Sequence, residues 1–277
     1  MTEYLNYKFE DNETFINTFD EAPLWSAAFG ILLLKHITLK HHQTIVDLGS
    51  GAGFPLLELA GRAGNTCKLY GIDPWKNANT RANQKIKNYG YTHIEIIESS
   101  AAEIPFEKNS IDLIVSNLGI NNFENPNAVF NECARVLKPN GKLALTTNLT
   151  GHWHLFYEIF YQTLHQIGKS KMIEALKEEE LHRGDKESIS TLFTNTGFKI
   201  NRVFEENFEM KFVDGTAFLN HYFIKLGWLS SWTNLFPKQD LQEIFTALEQ
   251  NLNSYSNEND GLNLTVPMLF IEGEKLS

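Results

Sequence analysis

Residues 44–55 read Thr-Ile-Val-Asp-Leu-Gly-Ser-Gly-Ala-Gly-Phe-Pro, and a second acidic strand end follows at Gly71-Ile72-Asp73-Pro74. A short β-branched strand running into glycines lets the backbone turn sharply and approach a ligand closely before a helix opens at Pro55. The chemistry this suits is the holding of a nucleotide-type cofactor. Backbone N–H groups of the turn are expected to face it, and the Asp73 carboxylate is suited to accepting two hydroxyl donors at once. The dinucleotide spacing G-x-G-x-x-G is not met. The glycines run G-x-G-x-G, Phe54 stands where the third glycine would fall, and Pro55 removes a first-turn donor that a pyrophosphate uses. Asp47 and Asp73 can also be read as plain strand-end carboxylates, but their place beside the glycines favours ligand roles.

Three further segments follow in order. Ser99-Ser100-Ala101-Ala102-Glu103-Ile104-Pro105-Phe106 is one, Ile111 to Asn122 reads as a strand with its exit loop, and Glu132-Cys133-Ala134-Arg135-Val136-Leu137-Lys138-Pro139-Asn140-Gly141 ends a helix before a strand over Lys142 to Asn148. With Asp47 to Gly53, these resemble the ordered motifs of class I S-adenosylmethionine-dependent methyltransferases, over roughly Ile45 to Asn148. The general resemblance is to the small-molecule branch that includes the ubiquinone and menaquinone biosynthesis C-methyltransferases.

The resemblance implies a cofactor set of Asp47, Gly49, Ser50, Gly51, Gly53, Asp73, Pro74, Ser100, Ala101 and Asn117. Asp47 would help hold the cofactor's ammonium, Asp73 both ribose hydroxyls, and Asn117 the methionine part. Ser100 departs from the family, which places an aspartate there for the adenine amino group, so that contact would fall to the hydroxyl or the backbone. Asn140-Gly141 replaces Gly-Gly, a mild change because Asn tolerates left-handed backbone. S-adenosyl-L-methionine would be the cofactor and S-adenosyl-L-homocysteine the product.

The elements that must position these residues alternate as strands and helices through Asn148. That alternation predicts an α/β, Rossmann-like, mostly parallel sheet with helices on both faces, and ligands in such sheets lie at the carboxyl ends of the strands. By resemblance the sheet has seven strands, with a final antiparallel pair at one edge. Helices are expected over Glu13–Phe19, Pro23–Thr38, His154–Ile167, Lys169–Glu180, Lys186–Thr196, Thr216–Leu226 and Lys238–Asn253, with strands over Phe198–Phe212 and Leu262–Glu272. Ser254 to Gly261 reads as a loop. The organisation is an N-terminal helical segment (1–42), a cofactor-binding core (43–150) and a remainder of the same domain (151–277), in which residues 214–261 form a helical insertion placed as a lid.

Aromatic-rich stretches at 152–157 and 214–228 suit the wall of a small-molecule pocket, although packing of the insertion would explain most of these rings. Trp25, Asn121, His154, Tyr157, Tyr222 and Trp228 are the acceptor-side candidates. His152 and His221 are candidate bases, since imidazole titrates near neutrality, with a structural or orienting role as the alternative. His152 and His154 would share a face on a strand, yet no further ligands with zinc-like spacing follow, so no metal is expected. Methyl transfer itself needs in-line alignment and exclusion of water more than a protein nucleophile.

A net charge of −10 disfavours a nonspecific nucleic-acid binder, and no Asn-Pro-Pro-Tyr type sequence follows the fourth strand. Two cysteines fit a reducing, cytoplasmic setting, and the apolar stretch from Ala22 to Leu34 is too short to span a membrane. The expected activity is methyl transfer to a small-molecule acceptor; the alternatives are a non-catalytic cofactor binder, a nucleic-acid or protein methyltransferase, and a dinucleotide oxidoreductase.

Overall fold

The computed structural model describes residues 2–8, 10–20, 24–181 and 183–276. Its seven strands are β1 (Thr44–Leu48), β2 (Lys68–Asp73), β3 (Ile94–Glu98), β4 (Ile111–Asn117), β5 (Leu137–Asn148), β6 (Phe198–Phe212) and β7 (Leu262–Lys275). They form one sheet in the order β3-β2-β1-β4-β5-β7-β6. The strands β1 to β5 pair in parallel, and β7 runs antiparallel to β5. Ile45, Val46 and Leu48 of β1 and Leu113 to Val115 of β4 are almost wholly buried, as strands covered on both faces must be. The mostly parallel sheet expected from the alternation is present, with the seven strands that the resemblance implied.

Helices α1 (Glu13–Asp20), α2 (Leu24–His36), α3 (Leu56–Ala63), α4 (Lys76–Tyr89) and α5 (Pro126–Val136) surround the parallel strands. Helix α2 reads LWSAAFGILLLKH and packs on β4 and β5. Its Gly30 has a specific use: a Cβ there would lie 2.2 Å from Cε1 of Phe54. The ring that replaces the dinucleotide motif's third glycine thus lies on a gap left in α2. Helix α1 is tied to the middle of α4, where Asp20 pairs with Arg81 at 2.8 Å and Lys85 at 2.7 Å. Asp11 accepts from Trp75 Nε1 and Asn77 Nδ2, both at 2.9 Å. Ile16 of α1 packs with Ala52 and Ala78, with Phe19 and Trp75 at the margin.

The remaining helices are α6 (His154–Gln166), α7 (Ile173–Glu180), α8 (Lys186–Asn195), α9 (Gly215–Asn220), α10 (Tyr222–Gly227), α11 (Leu229–Asn234) and α12 (Leu241–Glu258). The chain divides into two compact units, Met1–Glu10 with Leu149–Gly184 and Asn207–Pro267, and Asp11–Asn148 with Asp185–Glu206 and Met268–Ser277. The first unit is organised by α12 packing against α6 and α9, around the fully buried rings of Trp153, Phe156, Phe160, Phe218, Trp232 and Phe245. Burying each such side chain contributes roughly 1.5–3 kcal/mol.

Several boundaries differ from those expected. Ser254 to Glu258 is the last turn of α12 and not loop, because Leu252 and Ser256 are buried and packing overrides the low helix propensity of Ser and Asn. The helix expected over Thr216–Leu226 is broken at His221, whose ψ of 133° is extended, giving α9 and α10. Helix α11 falls where no element was expected. Strand β5 begins at Leu137 and not Lys142, and Pro55 is the N-cap of α3 instead of its first residue. The Lys169–Glu180 helix opens with a 3-10 turn at Ser170–Met172 before α7. The expected start of α2 at Pro23 lies outside the described residues.

Gly119, just past β4, is where a side chain cannot be placed: a Cβ would meet Ser116 Oγ at 2.3 Å and the Leu48 carbonyl at 2.9 Å. Gly119→Ala is therefore expected to lower stability by roughly 1–3 kcal/mol in denaturant unfolding, by forcing apart the ends of β1 and β4. A change within 0.5 kcal/mol, on the same rough scale, would show that the two strand exits do not need this close approach.

Candidate cofactor and active site

The glycine turn lies at the carboxyl ends of β1 and β2, as expected, but its donors are already used. Gly49 N–H donates to the Ile72 carbonyl at 2.8 Å and Ser50 N–H to the same oxygen at 3.4 Å. Gly53 N–H donates to the Ser50 carbonyl at 2.8 Å. Gly51 N–H donates to Asp73 Oδ2 at 2.8 Å, while Trp75 N–H donates to Asp73 Oδ1 at 2.8 Å. The expectation that these N–H groups face the ligand is corrected for Gly49, Ser50, Gly51 and Gly53, four of the five loop residues. Gly49, Gly51 and Gly53 have φ of 74°, 49° and 100°, the left-handed half of the map where only glycine is at ease. A Cβ on Gly51 would meet nothing within 4 Å, so open space lies over the turn.

Acceptors fill the same region. Asp47 is completely buried, and neither of its carboxylate oxygens has a partner at hydrogen-bond geometry among the described residues, the Leu56 N–H acting on it only from outside that geometry. Burial, and then the neighbouring charge of Asp73, push its carboxyl well above the usual aspartate range, against the opposing pull of the Leu56 N–H. Asp73 is likewise pushed up by burial, opposed by the N–H groups of Trp75 and Gly51. Ser50 Oγ and Asn79 Oδ1 are also buried without partners, while Asn79 Nδ2 donates to the Asp73 carbonyl at 2.9 Å. The arrangement suits a ligand with hydroxyl donors and a positive charge. A pyrophosphate would face carboxylates with the loop donors already consumed, which disfavours a dinucleotide.

The third motif is positioned from α5. Arg135 donates to the carbonyls of Ile104 and Phe106, both at 2.8 Å, and Glu132 accepts from Ile104 N–H at 3.1 Å. Ser100 and Pro74 are exposed, Ala101 is half-buried, and Ser100 Oγ accepts from Ala102 N–H at 3.2 Å. Past β4, Leu118 takes a φ of 65°, which turns the chain immediately after Asn117. Asn117 is held on both sides, donating to the Ser26 carbonyl at 3.0 Å and accepting from Thr146 Oγ1 at 2.9 Å. Asn121 similarly bonds Asn148 and Thr147. Trp25 is buried with its ring on Phe29.

The remaining candidates belong to the other unit. His154 is 65% exposed and lies between Glu158 and Glu180, on the surface and not in an acceptor wall. His152 is 1% exposed, so the two histidines do not share a face, and they stand in a turn and at a helix start instead of a strand. Burial, followed by the charge of Arg183, pushes the His152 imidazole down to about 4. That value makes it a weak base at neutral pH. Tyr157 is fully buried and accepts from Trp232 Nε1 at 3.2 Å. Trp228 is buried with its ring 4.7 Å from that of Trp153, and Tyr222 is half-buried against Tyr7. His221 is half-buried with its ring on Phe212, and burial pushes its imidazole down. Among the described residues no cluster of three or more His, Cys, Asp or Glu side chains could hold a metal ion.

Residues 46–145 match a family model described as a methyltransferase domain. The chain is 28% identical over 174 residues to a demethylmenaquinone methyltransferase of Oceanobacillus iheyensis, covering 60% of this chain and 73% of the relative. It is 30% identical over 165 residues to that of Bacillus licheniformis, covering 56% and 70%. Among solved structures, a SAM-dependent methyltransferase from Aquifex aeolicus matches with a TM-score of 0.53 and 22% identity, over 71% of this chain and 92% of that one. The chain belongs to the class I S-adenosylmethionine-dependent methyltransferases. It is an enzyme that uses S-adenosylmethionine to methylate a small-molecule acceptor, as the resemblance of its motifs implied.

The buried Asp47 carboxyl has a consequence for the ligand-free chain. Its pKa is higher folded than unfolded, so the native state holds the proton more tightly. The penalty is absent below the unfolded-state pKa and grows as pH rises towards and through the folded value. Asp47→Asn is therefore expected to raise stability by roughly 1 kcal/mol at neutral pH, with the difference shrinking on acidification. Urea unfolding at two pH values checks this, and a variant that is less stable at neutral pH would overturn it.

Proposed function

We propose that the glycine turn and its two carboxylates hold S-adenosylmethionine, and that the acceptor is a planar, electron-rich ring of quinol type. The observation that carries the cofactor roles is the buried Asp47 carboxylate, without a partner at hydrogen-bond geometry, beside a loop in which the N–H groups of Gly49, Ser50, Gly51 and Gly53 are consumed. An ammonium would satisfy Asp47 and favour its ionised form. Asp73 spends one lone pair of each oxygen on an N–H, which leaves acceptor capacity for ribose hydroxyls. Gly49, Ser50, Gly51 and Gly53 give close approach to the amino-acid end, and Asn117 stands beside the methionine part. Pro74, Ser100 and Ala101 meet the nucleoside end, where Ser100 contributes a hydroxyl in place of the family's carboxylate.

The bound cofactor supplies an already activated methyl group. The chain's contribution is to grip, orient and keep water out, so no protein nucleophile is assigned. The ring-type acceptor draws support from relatives named demethylmenaquinone methyltransferases, and acceptor choice is assigned to residues outside the matched segment 46–145. The free, buried thiols of Cys67 and Cys133 support action in the reducing cytoplasm. No helix among the described residues is long and apolar enough to cross a membrane.

Thermal unfolding in parallel with S-adenosylmethionine, S-adenosylhomocysteine and NADH tests the cofactor roles. A ligand at a hundredfold excess over its Kd adds ~2.7 kcal/mol, which should raise Tm by about 5 °C or more with the two sulfur compounds and leave it unmoved by NADH. A shift with NADH alone would overturn the assignment. Asp73→Ala removes both a hydroxyl acceptor and the partner of the Gly51 N–H, and is expected to weaken cofactor binding by roughly 1.5–3 kcal/mol in calorimetry. A loss below about 0.5 kcal/mol would remove that role. Gly51→Ala places a methyl group in the open space at a left-handed position and should weaken binding at least about tenfold.

A further inference from the structure

The unit containing Leu149–Gly184 and Asn207–Pro267 holds a polar group that its own packing does not use. His152 is 1% exposed, and neither ring nitrogen has a partner at hydrogen-bond geometry among the described residues, the Leu149 backbone acting on the ring only from outside that geometry. A neutral imidazole carries one donor and one acceptor, and leaving both unmade in a buried place is unfavourable unless something else completes them. Its surroundings are flat rings: Trp153 at 5.6 Å, Tyr157 at 5.9 Å and Trp228 at 6.4 Å between centroids. The backbone beside it is forced as well. Trp153 has a φ of 54°, a left-handed conformation that a bulky residue adopts only when its surroundings insist.

Arg183 is the second component, and nothing in the sequence marked it. It is half-buried, and among the described residues its side chain makes no hydrogen bond and no ion pair. Its backbone is fastened beside the His152 turn, where Thr150 Oγ1 donates to the Arg183 carbonyl and Thr150 N–H to the Gly184 carbonyl at 3.1 Å, and its charge acts on His152 and Tyr157, with Glu179 the acidic group that acts on it. A guanidinium offers five donors and no acceptor, and it pairs best with a planar oxyanion. A guanidinium without a hydrogen bond or ion pair, an imidazole without a side-chain partner and aromatic neighbours together suit a flat ring that carries a negative charge.

We propose that His152 and Arg183, walled by Tyr157 and Trp228, form a binding site for an anionic aromatic acceptor, with a ring carboxylate or equivalent oxyanion on Arg183 and a hydrogen bond from His152. This rests on the reading of the acceptor as a planar small molecule and narrows it to one that is charged. His152 is here a positioning residue that orients the ring by a neutral hydrogen bond, which accords with its depressed basicity.

The test compares 2-naphthoate with the neutral isostere 2-naphthamide by calorimetry on the full chain, with the S-adenosylhomocysteine thermal shift measured beside it. Wild type is expected to bind the carboxylate at least about tenfold more tightly than the amide. Arg183→Gln should bring the carboxylate to the affinity of the amide, Arg183→Lys should recover part of the loss, and His152→Gln should weaken both ligands. The cofactor shift should stay unchanged in all three variants. Equal binding of the two compounds, undiminished carboxylate binding by Arg183→Gln, or no binding of either at millimolar concentration would overturn the proposal. Carboxylate binding without any cofactor shift in wild type would overturn the cofactor roles and leave the anion site standing.

Discussion

The Asp73 carboxylate is the point on which the cofactor region depends. It sits at the end of β2 and is 8% exposed. Each oxygen receives an N–H, one from Gly51 in the turn after β1 and one from Trp75 at the start of α4. One side chain thereby fixes the turn, the strand end and the entry to the next helix. Without it, the Gly51 N–H would lose its acceptor in a partly buried place, where leaving a donor unmade costs about 1–3 kcal/mol. Parallel pairing of β1 with β2, which sets Asp47 opposite Gly71 and Leu48 opposite Ile72, brings the two carboxylates to the same edge. Gly71 matters there because a Cβ would lie 2.7 Å from both Leu56 Cδ2 and Ser50 Oγ.

Supporting contacts extend outward from that point. Asn79 Nδ2 takes the Asp73 carbonyl, so the same residue is held by side chain and backbone. Helix α1 is fastened over this corner by charge at its end, through Asp20 with Arg81 and Lys85, and by Ile16 against Ala52 and Ala78. Asp20 is only 13% exposed, so these pairs are screened less by solvent than surface pairs. The third motif, by contrast, is held from α5 by Arg135 and Glu132. The edge that carries Asp47 and Asp73 is therefore braced by elements that come before and after it in the chain.

Much of this was legible in the residues themselves, for a physical reason. Glycines at three left-handed positions, a strand on either side and acidic strand ends are local signals, and β6 was bounded by Gly197 and Phe212 as read. What was not legible depended on distant packing. Ser254 to Glu258 has the composition of a loop, yet it continues α12 because Leu252 and Ser256 face a core assembled from rings many residues away. The direction of the Gly49, Ser50 and Gly51 N–H groups was likewise invisible, since their acceptors, Ile72 and Asp73, belong to another strand. Arg183 stands beside no motif, and only the fold sets its charge near the His152 ring. Composition could not separate His152 from His154, although one is fully buried and the other lies in solvent between two glutamates.

A glycine turn after a first strand is commonly read as a place for phosphate, because its N–H groups and the following helix favour negative charge. Here four of that turn's five N–H groups are consumed by Ile72, Ser50 and Asp73, and the buried side-chain oxygens left over include both oxygens of Asp47. Two buried carboxylates so close together repel, and an Asp47 that is driven towards its neutral form stores that repulsion in the ligand-free chain. A positively charged ligand releases it; an anionic one would add to it. The sign of the unsatisfied groups, more than the spacing of the glycines, is what separates a sulfonium cofactor from a dinucleotide in this fold. The same reasoning, with the sign reversed, applies to Arg183 and His152 in the other unit, where the unsatisfied groups include a guanidinium and call for an anion.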